Sequence, residues 1–256
     1  MRLRGVRRSR NIEDRRRSGG GGKAGIGGVG LLVVLAIGYF AGIDVTPLLQ
    51  QVPQQSAAPR ELSEAEQQAA DFSARVLGTT EGVWDRIFAE QLGAEYSAPT
   101  MVLYSGVTQS PCGGASGATG PFYCPADQTV YLDLGFWQQM QTQLGASGAD
   151  FAKAYVIAHE FGHHVQTLTG ASDDVRRAQA QATSQAEANR FSVALELQAD
   201  CYAGVWAANA ARLSGGEVAL RPGDLEEGLK TAAAIGDEAL QQGGGGRVSP
   251  LRLTHG

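Results

Sequence analysis

Two histidines spaced one helical turn apart carry the clearest chemical signal in this sequence. His159 and His163 lie in the run His-Glu-Phe-Gly-His, in a segment whose apolar residues follow the 3.6-residue period of a helix. Side chains four residues apart share one helix face, so both imidazoles can bind one Zn²⁺. Glu160 is rotated by about 100° from His159 and can reach a water molecule beside the metal. The run predicts a zinc-dependent hydrolase with Glu160 as general base, against the alternative of two surface histidines without a metal.

A zinc site of this kind needs a third protein ligand. The metzincin pattern requires glycine and histidine where this sequence has Gln166 and Thr169, so that class is excluded. Glu196 is the better candidate, because it lies on a second apolar helix that can pack against the first. Asp200 lies one turn further along that helix and could accept a hydrogen bond from the free N–H of a ligating imidazole. An ordinary pair of surface acids remains the alternative for these two carboxylates.

The two remaining histidines give weaker signals. His164 directly follows His163 and faces elsewhere, which favours a helix-surface residue or a partner of a ligand over a ligand. His255 lies in a tail, where it is a candidate to stabilise the oxyanion or is part of a frayed chain end.

The charge distribution divides the chain into two unequal parts. Residues 1–23 hold eight Arg and one Lys against two acids, a balance of +7, whereas the rest of the chain stands at −12. An acidic body of this kind excludes a nucleic-acid-binding role. Residues 24–43 carry no charge, and 20 helical residues span about 30 Å, the thickness of a bilayer core.

These observations predict four segments. They are a basic cytoplasmic tail (1–23), a transmembrane anchor (24–43), a Pro- and Gln-containing linker (44–60) and a zinc metallopeptidase domain (61–256). The positive-inside rule then places the N-terminus in the cytoplasm and the domain outside the cell membrane. A cleaved signal peptide is the alternative for residues 24–43.

The cysteines agree with export. Cys112 and Cys124 flank a glycine-rich stretch, which a disulfide could close in an oxidising compartment; two free thiols are the alternative. Cys201 is left without a partner.

The pattern of elements predicts a mostly helical α+β fold with a small sheet. Ser63 and Glu66 form a capping-box signal for a helix through about residue 77, and a second helix begins near Thr80. Short strands are predicted at 101–104 and 129–133. Further helices are predicted at 135–144, around 150–168, at 172–213 with a break near 181–189, and at 224–240.

Several motifs together resemble the bacterial putative neutral zinc metallopeptidase family. They are His-Glu-Phe-Gly-His-His-Val-Gln (159–166), the run that begins Glu-Leu-Gln-Ala-Asp (196–200), Gly-Pro-Phe-Tyr-Cys-Pro (120–125) and Leu-Thr-His-Gly (253–256). The resemblance covers essentially the whole chain. It implies a gluzincin-like, zincin-type fold with one Zn²⁺ per chain. Members of that family continue past the Thr-His-Gly motif, which leaves the role of His255 open.

The resemblance also implies how a substrate would bind. By position, Val130, Tyr131 and Leu132 would form the edge strand that aligns a peptide by strand addition. The expected partner is a peptide or protein of the cell envelope. A non-catalytic zinc-binding scaffold for envelope proteins and a hydrolase of non-peptide amides are the competing functions. The sequence leaves the oligomeric state open.

Overall fold

The computed structural model describes residues 1–3, 5–17, 61–116, 120–142 and 148–235. Over these ranges it is a mostly helical α+β fold, as predicted. The strands are β1 (Arg2–Leu3), β2 (Ile12–Asp14), β3 (Thr100–Tyr104), β4 (Val107–Ser110), β5 (Gly113–Ser116), β6 (Phe122–Cys124), β7 (Thr129–Asp133) and β8 (Val218–Ala219). The helices are α1 (Glu64–Ile87), α2 (Phe136–Thr142), α3 (Asp150–Thr169), α4 (Ala171–Gln181), α5 (Gln185–Leu213) and α6 (Asp224–Ile235).

The predicted membrane anchor at residues 24–43 and the linker at 44–60 lie outside the described residues. Among the helices that are described, none is both long and apolar enough to cross a bilayer.

A four-stranded sheet with the order β2-β3-β7-β6 forms the β part of the core. β2, β3 and β7 run parallel, and β6 is antiparallel to β7. Because side chains alternate along a strand, Met101, Leu103, Val130 and Leu132 face the helices. The other face packs Tyr104 and Tyr131 against Phe122. The predicted strands at 101–104 and 129–133 are therefore confirmed.

The position of β7 in this sheet corrects one prediction. Val130, Tyr131 and Leu132 were expected on an edge strand, but β7 pairs with β3 on one side and with β6 on the other. A strand bonded on both sides has no free backbone groups for a peptide. Among the described strands, β6 and β2 lie at the edges of this sheet.

Residues 1–17 differ from the separate basic tail that their charge predicts. β1 pairs with β8, and β2 pairs with β3 in the sheet. Three side chains of this segment, those of Arg7, Ser9 and Asn11, donate hydrogen bonds to the buried carboxylate of Glu81 on α1. Arg16 is also buried and donates to the carbonyl oxygen of Glu66. In the structure these residues are part of the domain.

α1 is one continuous helix where the sequence predicts two. Ser63 and Glu66 form the expected capping box. Gly78 does not end the helix. The backbone of the N-terminal segment packs directly against it, and a Cβ there would lie 2.3 Å from the carbonyl oxygen of Arg7. The helix then continues to Ile87 and into a π-helical turn, Phe88–Leu92.

The helices α3 and α5 pack against each other, and α1 packs against both. Trp206 of α5 is fully buried and donates a hydrogen bond to Thr79 of α1, with 3.0 Å between the two atoms. The predicted break before α5 is confirmed, since α4 ends at Gln181 and α5 begins at Gln185.

The predicted disulfide between Cys112 and Cys124 is formed. It ties the turn between β4 and β5 to the end of β6. Cys201 is an exposed free cysteine on α5.

Candidate metal centre

Three side chains from two helices meet at one point. His159 and His163 project from α3, and Glu196 reaches them from α5. The Nε2 atoms of His159 and His163 lie 3.3 and 3.5 Å from the same Oε2 of Glu196. All three ligand atoms lie within 4.8 Å of one another. The structure therefore brings together the three residues that the sequence predicts as ligands.

This geometry fits a zinc ion. Ligands at about 2.0–2.1 Å from a tetrahedral Zn²⁺ are separated from each other by about 3.3–3.4 Å. The two distances from Glu196 to the imidazoles agree with that spacing. Two nitrogen donors and one oxygen donor are also a common catalytic set for zinc, in which the fourth position is left to water or substrate.

Asp200 holds the first imidazole in place from behind. Its Oδ1 lies 2.8 Å from Nδ1 of His159 and also accepts a hydrogen bond from the hydroxyl of Tyr155 at 2.7 Å. A carboxylate acceptor at Nδ1 keeps a proton on that nitrogen, so Nε2 is the nitrogen left to bind a metal ion. Asp200 thus lies where the sequence predicts it. Tyr155, one helical turn before His159 on α3, is an added member of this group.

Gln166 orients the second imidazole, a role that was not predicted for it from the sequence. Its Oε1 lies 2.9 Å from Nδ1 of His163. Its amide nitrogen donates to the carbonyl oxygen of Leu195 and to Oε1 of Gln198, both on α5. Gln166 is fully buried, and it links His163 to the helix that supplies Glu196. The signal that could have found it is its position three residues after His163, on the same helix face.

Glu160 is buried next to the ligand cluster. Its Oε2 is inaccessible to solvent, and no described residue forms a hydrogen bond with it. Its charge adds to the hydrogen bonds that, against the effect of burial, raise the pKa of His159 and of His163. A buried carboxylate oxygen without a partner is costly unless a water or an ion satisfies it. Its position therefore fits a water molecule held at a metal ion.

The electrostatics of the cluster favour a cation. Burial lowers the pKa of His159, but hydrogen bonds to Asp200 and Glu196 outweigh it and raise that pKa to about 10. Burial also works against ionisation of Glu196, yet its bonds to the two imidazoles hold its pKa far below the ordinary value. Without a metal, the imidazole of His159 therefore keeps a second proton and is positively charged. A divalent cation would be attracted by the same carboxylates that stabilise this charge.

The other predicted residues are distributed as follows. His164 is buried away from the ligands, between the hydroxyl of Tyr123 at 3.1 Å and the carbonyl oxygen of Ser97 at 2.6 Å. It is therefore not a helix-surface residue. Tyr131 packs against Phe122 on the far face of the sheet. His255 lies outside the described residues, so its role stays a prediction.

Comparison with known proteins agrees with this site. The family model described as "Putative neutral zinc metallopeptidase" matches residues 1–256, and the chain belongs to this family. The uncharacterized protein YpfJ of Escherichia coli K12 is 47% identical over 266 aligned positions, which cover 100% of this chain and 90% of the relative. The uncharacterized protein Rv2575 of Mycobacterium tuberculosis H37Rv is 47% identical over 167 positions, 63% of this chain and 55% of the relative. No solved structure matches the chain.

Proposed function

We propose that this protein is a zinc-dependent metallopeptidase of the gluzincin-like type, with one Zn²⁺ held by His159, His163 and Glu196. The observation that carries the proposal is the buried oxygen of Glu160, which has no partner among the described residues and lies beside a ligand set that fits zinc. A scaffold that only binds zinc has no use for a buried carboxylate at that place.

The residues divide the chemistry between them. Zinc at this position would lower the pKa of a water molecule and polarise the carbonyl of a peptide bond. Glu160 accepts the proton of the attacking water and passes it to the leaving amine. Asp200 and Gln166 hold the two imidazoles in the orientation that points Nε2 inward.

Strand β6 is the better candidate to align a peptide. It lies at the edge of the four-stranded sheet, and the side chain of its central residue, Tyr123, contacts His164 on α3. A peptide that adds a strand to β6 would therefore run close to the helix that carries both zinc-binding histidines. β6 therefore takes the place of β7 as the strand proposed to align a peptide substrate.

We also propose that the domain works outside the cytoplasm, on proteins of the cell envelope. The disulfide between Cys112 and Cys124 supports this, since such bonds persist in oxidising compartments. The pairing of β2 with β3 requires residues 12–14 to lie on the same side of any membrane as the domain. For that reason a cytoplasmic position of residues 1–17 is not part of the proposal. Protease added to intact cells should cleave the domain, and protection until the cells are permeabilised would contradict export.

The decisive experiment on activity is the substitution Glu160→Gln. The variant should keep bound zinc but hydrolyse a casein-type substrate at least about 100-fold more slowly, because the general base is lost. Wild-type protein stripped of zinc by a chelator should be inactive and recover when zinc is returned. If the zinc-loaded wild type turns over no peptide at all, the scaffold for envelope proteins becomes the better function. If the zinc-loaded wild type hydrolyses non-peptide amides but no peptide, the protein is better described as a hydrolase of non-peptide amides.

A further inference from the structure

A cavity of about 230 Å³ lies beside two of the metal ligands. His163 and Glu196 form part of its wall, so whatever fills it sits directly next to the reacting centre. The remaining wall comes from four elements: β6 and the turn after it, α3, α4 and α5. The space inside the cavity is used by none of the catalytic steps described above.

The walls are largely apolar. Tyr123, Pro125, Val175 and Leu195 line the cavity with rings and aliphatic carbons. Arg176 also lines it, but its guanidinium is mostly exposed and pairs with Asp173.

Two of the polar groups in the wall are already used inside the protein. The hydroxyl of Thr167 donates to the carbonyl oxygen of His163. The amide nitrogen of Gln179 donates to Oγ of Ser192 at 2.7 Å. A ligand therefore gains mainly apolar contact here.

The size restricts the ligand further. Pockets for drug-sized molecules measure about 300–1,000 Å³, so this cavity has room for little more than one amino-acid side chain. We propose that it is a specificity pocket for a medium-sized to large apolar side chain, such as leucine, methionine or phenylalanine, of the residue next to the cleaved bond. This inference rests on the proposed peptidase function and names the substrate preference of the same site.

Binding of two hydroxamates to the zinc-loaded protein tests the pocket without any turnover. Both compounds bind zinc through the same group, but a leucine-derived hydroxamate carries an isobutyl side chain and acetohydroxamate does not. The wild type should bind the leucine compound at least about tenfold more tightly, because the side chain leaves water for an apolar wall. Calorimetric titration measures both affinities.

Val175→Trp fills the cavity and should abolish this preference while leaving zinc content and acetohydroxamate affinity unchanged. Val193→Trp is the matched control, because Val193 is exposed on α5 and does not line the cavity. Should Val175→Trp not retain zinc, Ser172→Phe narrows the same cavity and carries the same expectation. Equal affinities for the two compounds in the wild type, or a preference that survives in both cavity variants, would overturn the pocket. Failure of the wild type to hydrolyse peptides would overturn the peptidase function instead.

Discussion

Gly162 on α3 contacts Ala199 on α5 so closely that a Cβ at position 162 would lie 2.9 Å from both the Cα and the carbonyl oxygen of Ala199. Both residues are buried. Gly162 lies between the two zinc-binding histidines in sequence, and Ala199 lies one turn after Glu196. The distance between the two helices at this contact therefore determines whether the carboxylate of Glu196 reaches both imidazoles.

Gly162→Ala should weaken zinc binding by about tenfold or more. A methyl group in this contact costs about 1–3 kcal/mol through overpacking and moves Glu196 away from the histidines. The matched control is Gly204→Ala, also on a helix, where a Cβ would meet nothing within 4 Å. Competition with a chromogenic chelator measures both affinities, and equal zinc affinity in the two variants would show that the close contact does not set the site.

Asp200→Ala should lower zinc affinity about 10–100-fold. The substitution removes the acceptor that orients His159 through Nδ1. Asp174→Ala removes a carboxylate that binds Arg177 at the surface and serves as control. Unchanged zinc affinity for Asp200→Ala would mean that packing alone orients the imidazole.

Zinc binding should release a proton and become tighter as the pH rises from 7 toward 10. The pKa of His159 is raised to about 10 in the metal-free protein, so the imidazole is charged at neutral pH and must lose its proton to bind zinc. The charged form stabilises the metal-free fold fully below the ordinary pKa of 6.5, and that contribution is lost as the pH passes about 10. The gain in zinc affinity should approach about tenfold per pH unit.

Calorimetric titration in buffers of different ionisation enthalpy counts the protons released. Asp200→Ala removes a hydrogen bond that raises this pKa, so its zinc affinity should level off at a lower pH. An affinity that is flat between pH 7 and 9 in the wild type contradicts the assignment.

Glu81→Ala should release the N-terminal segment from the domain. Three donors, on Arg7, Ser9 and Asn11, lose their common acceptor. Only Ser9 is buried, and a buried donor left without a partner costs about 1–3 kcal/mol. Amide hydrogen exchange in residues 7–14 should become faster, whereas Glu90→Ala, which breaks only an exposed pair with Arg86, should leave it unchanged. Slow exchange in both variants would show that β2 is held by its backbone bonds alone.

The local parts of this structure could be predicted from the sequence. The spacing of His159 and His163 and the apolar period around them define one helix face, and Ser63 with Glu66 defines a helix start. Strands β3 and β7 are visible as short runs of β-forming residues. Each of these signals lies within a few residues of the element that it predicts.

The long-range parts could not be predicted in the same way. Residues 1–17 are rich in arginine, a composition that indicates a solvated tail. In the structure, however, the carboxylates of Glu13 and Asp14 pair with Arg15 and Arg16. The backbone of that segment is then free to join the sheet. Strand order is likewise a matter of tertiary pairing, so the position of β7 inside the sheet has no local signature.

Gln166 shows the same limit at the site itself. In sequence it only marks a departure from the metzincin pattern. Its importance depends on Leu195 and Gln198, which are about 30 residues away along the chain and adjacent only once α3 and α5 have packed.

The pairing of β2 with β3 attaches the N-terminal segment to the domain by noncovalent bonds. This segment is bonded to β3 through the backbone groups of Asn11 and Arg15, which lie 2.8 Å from their partners on β3. A cut of the chain between β2 and α1 would therefore turn the domain into a split protein, with the segment that contains β2 retained as a bound fragment. Adding that fragment back as a synthetic peptide would restore the fold by complementation.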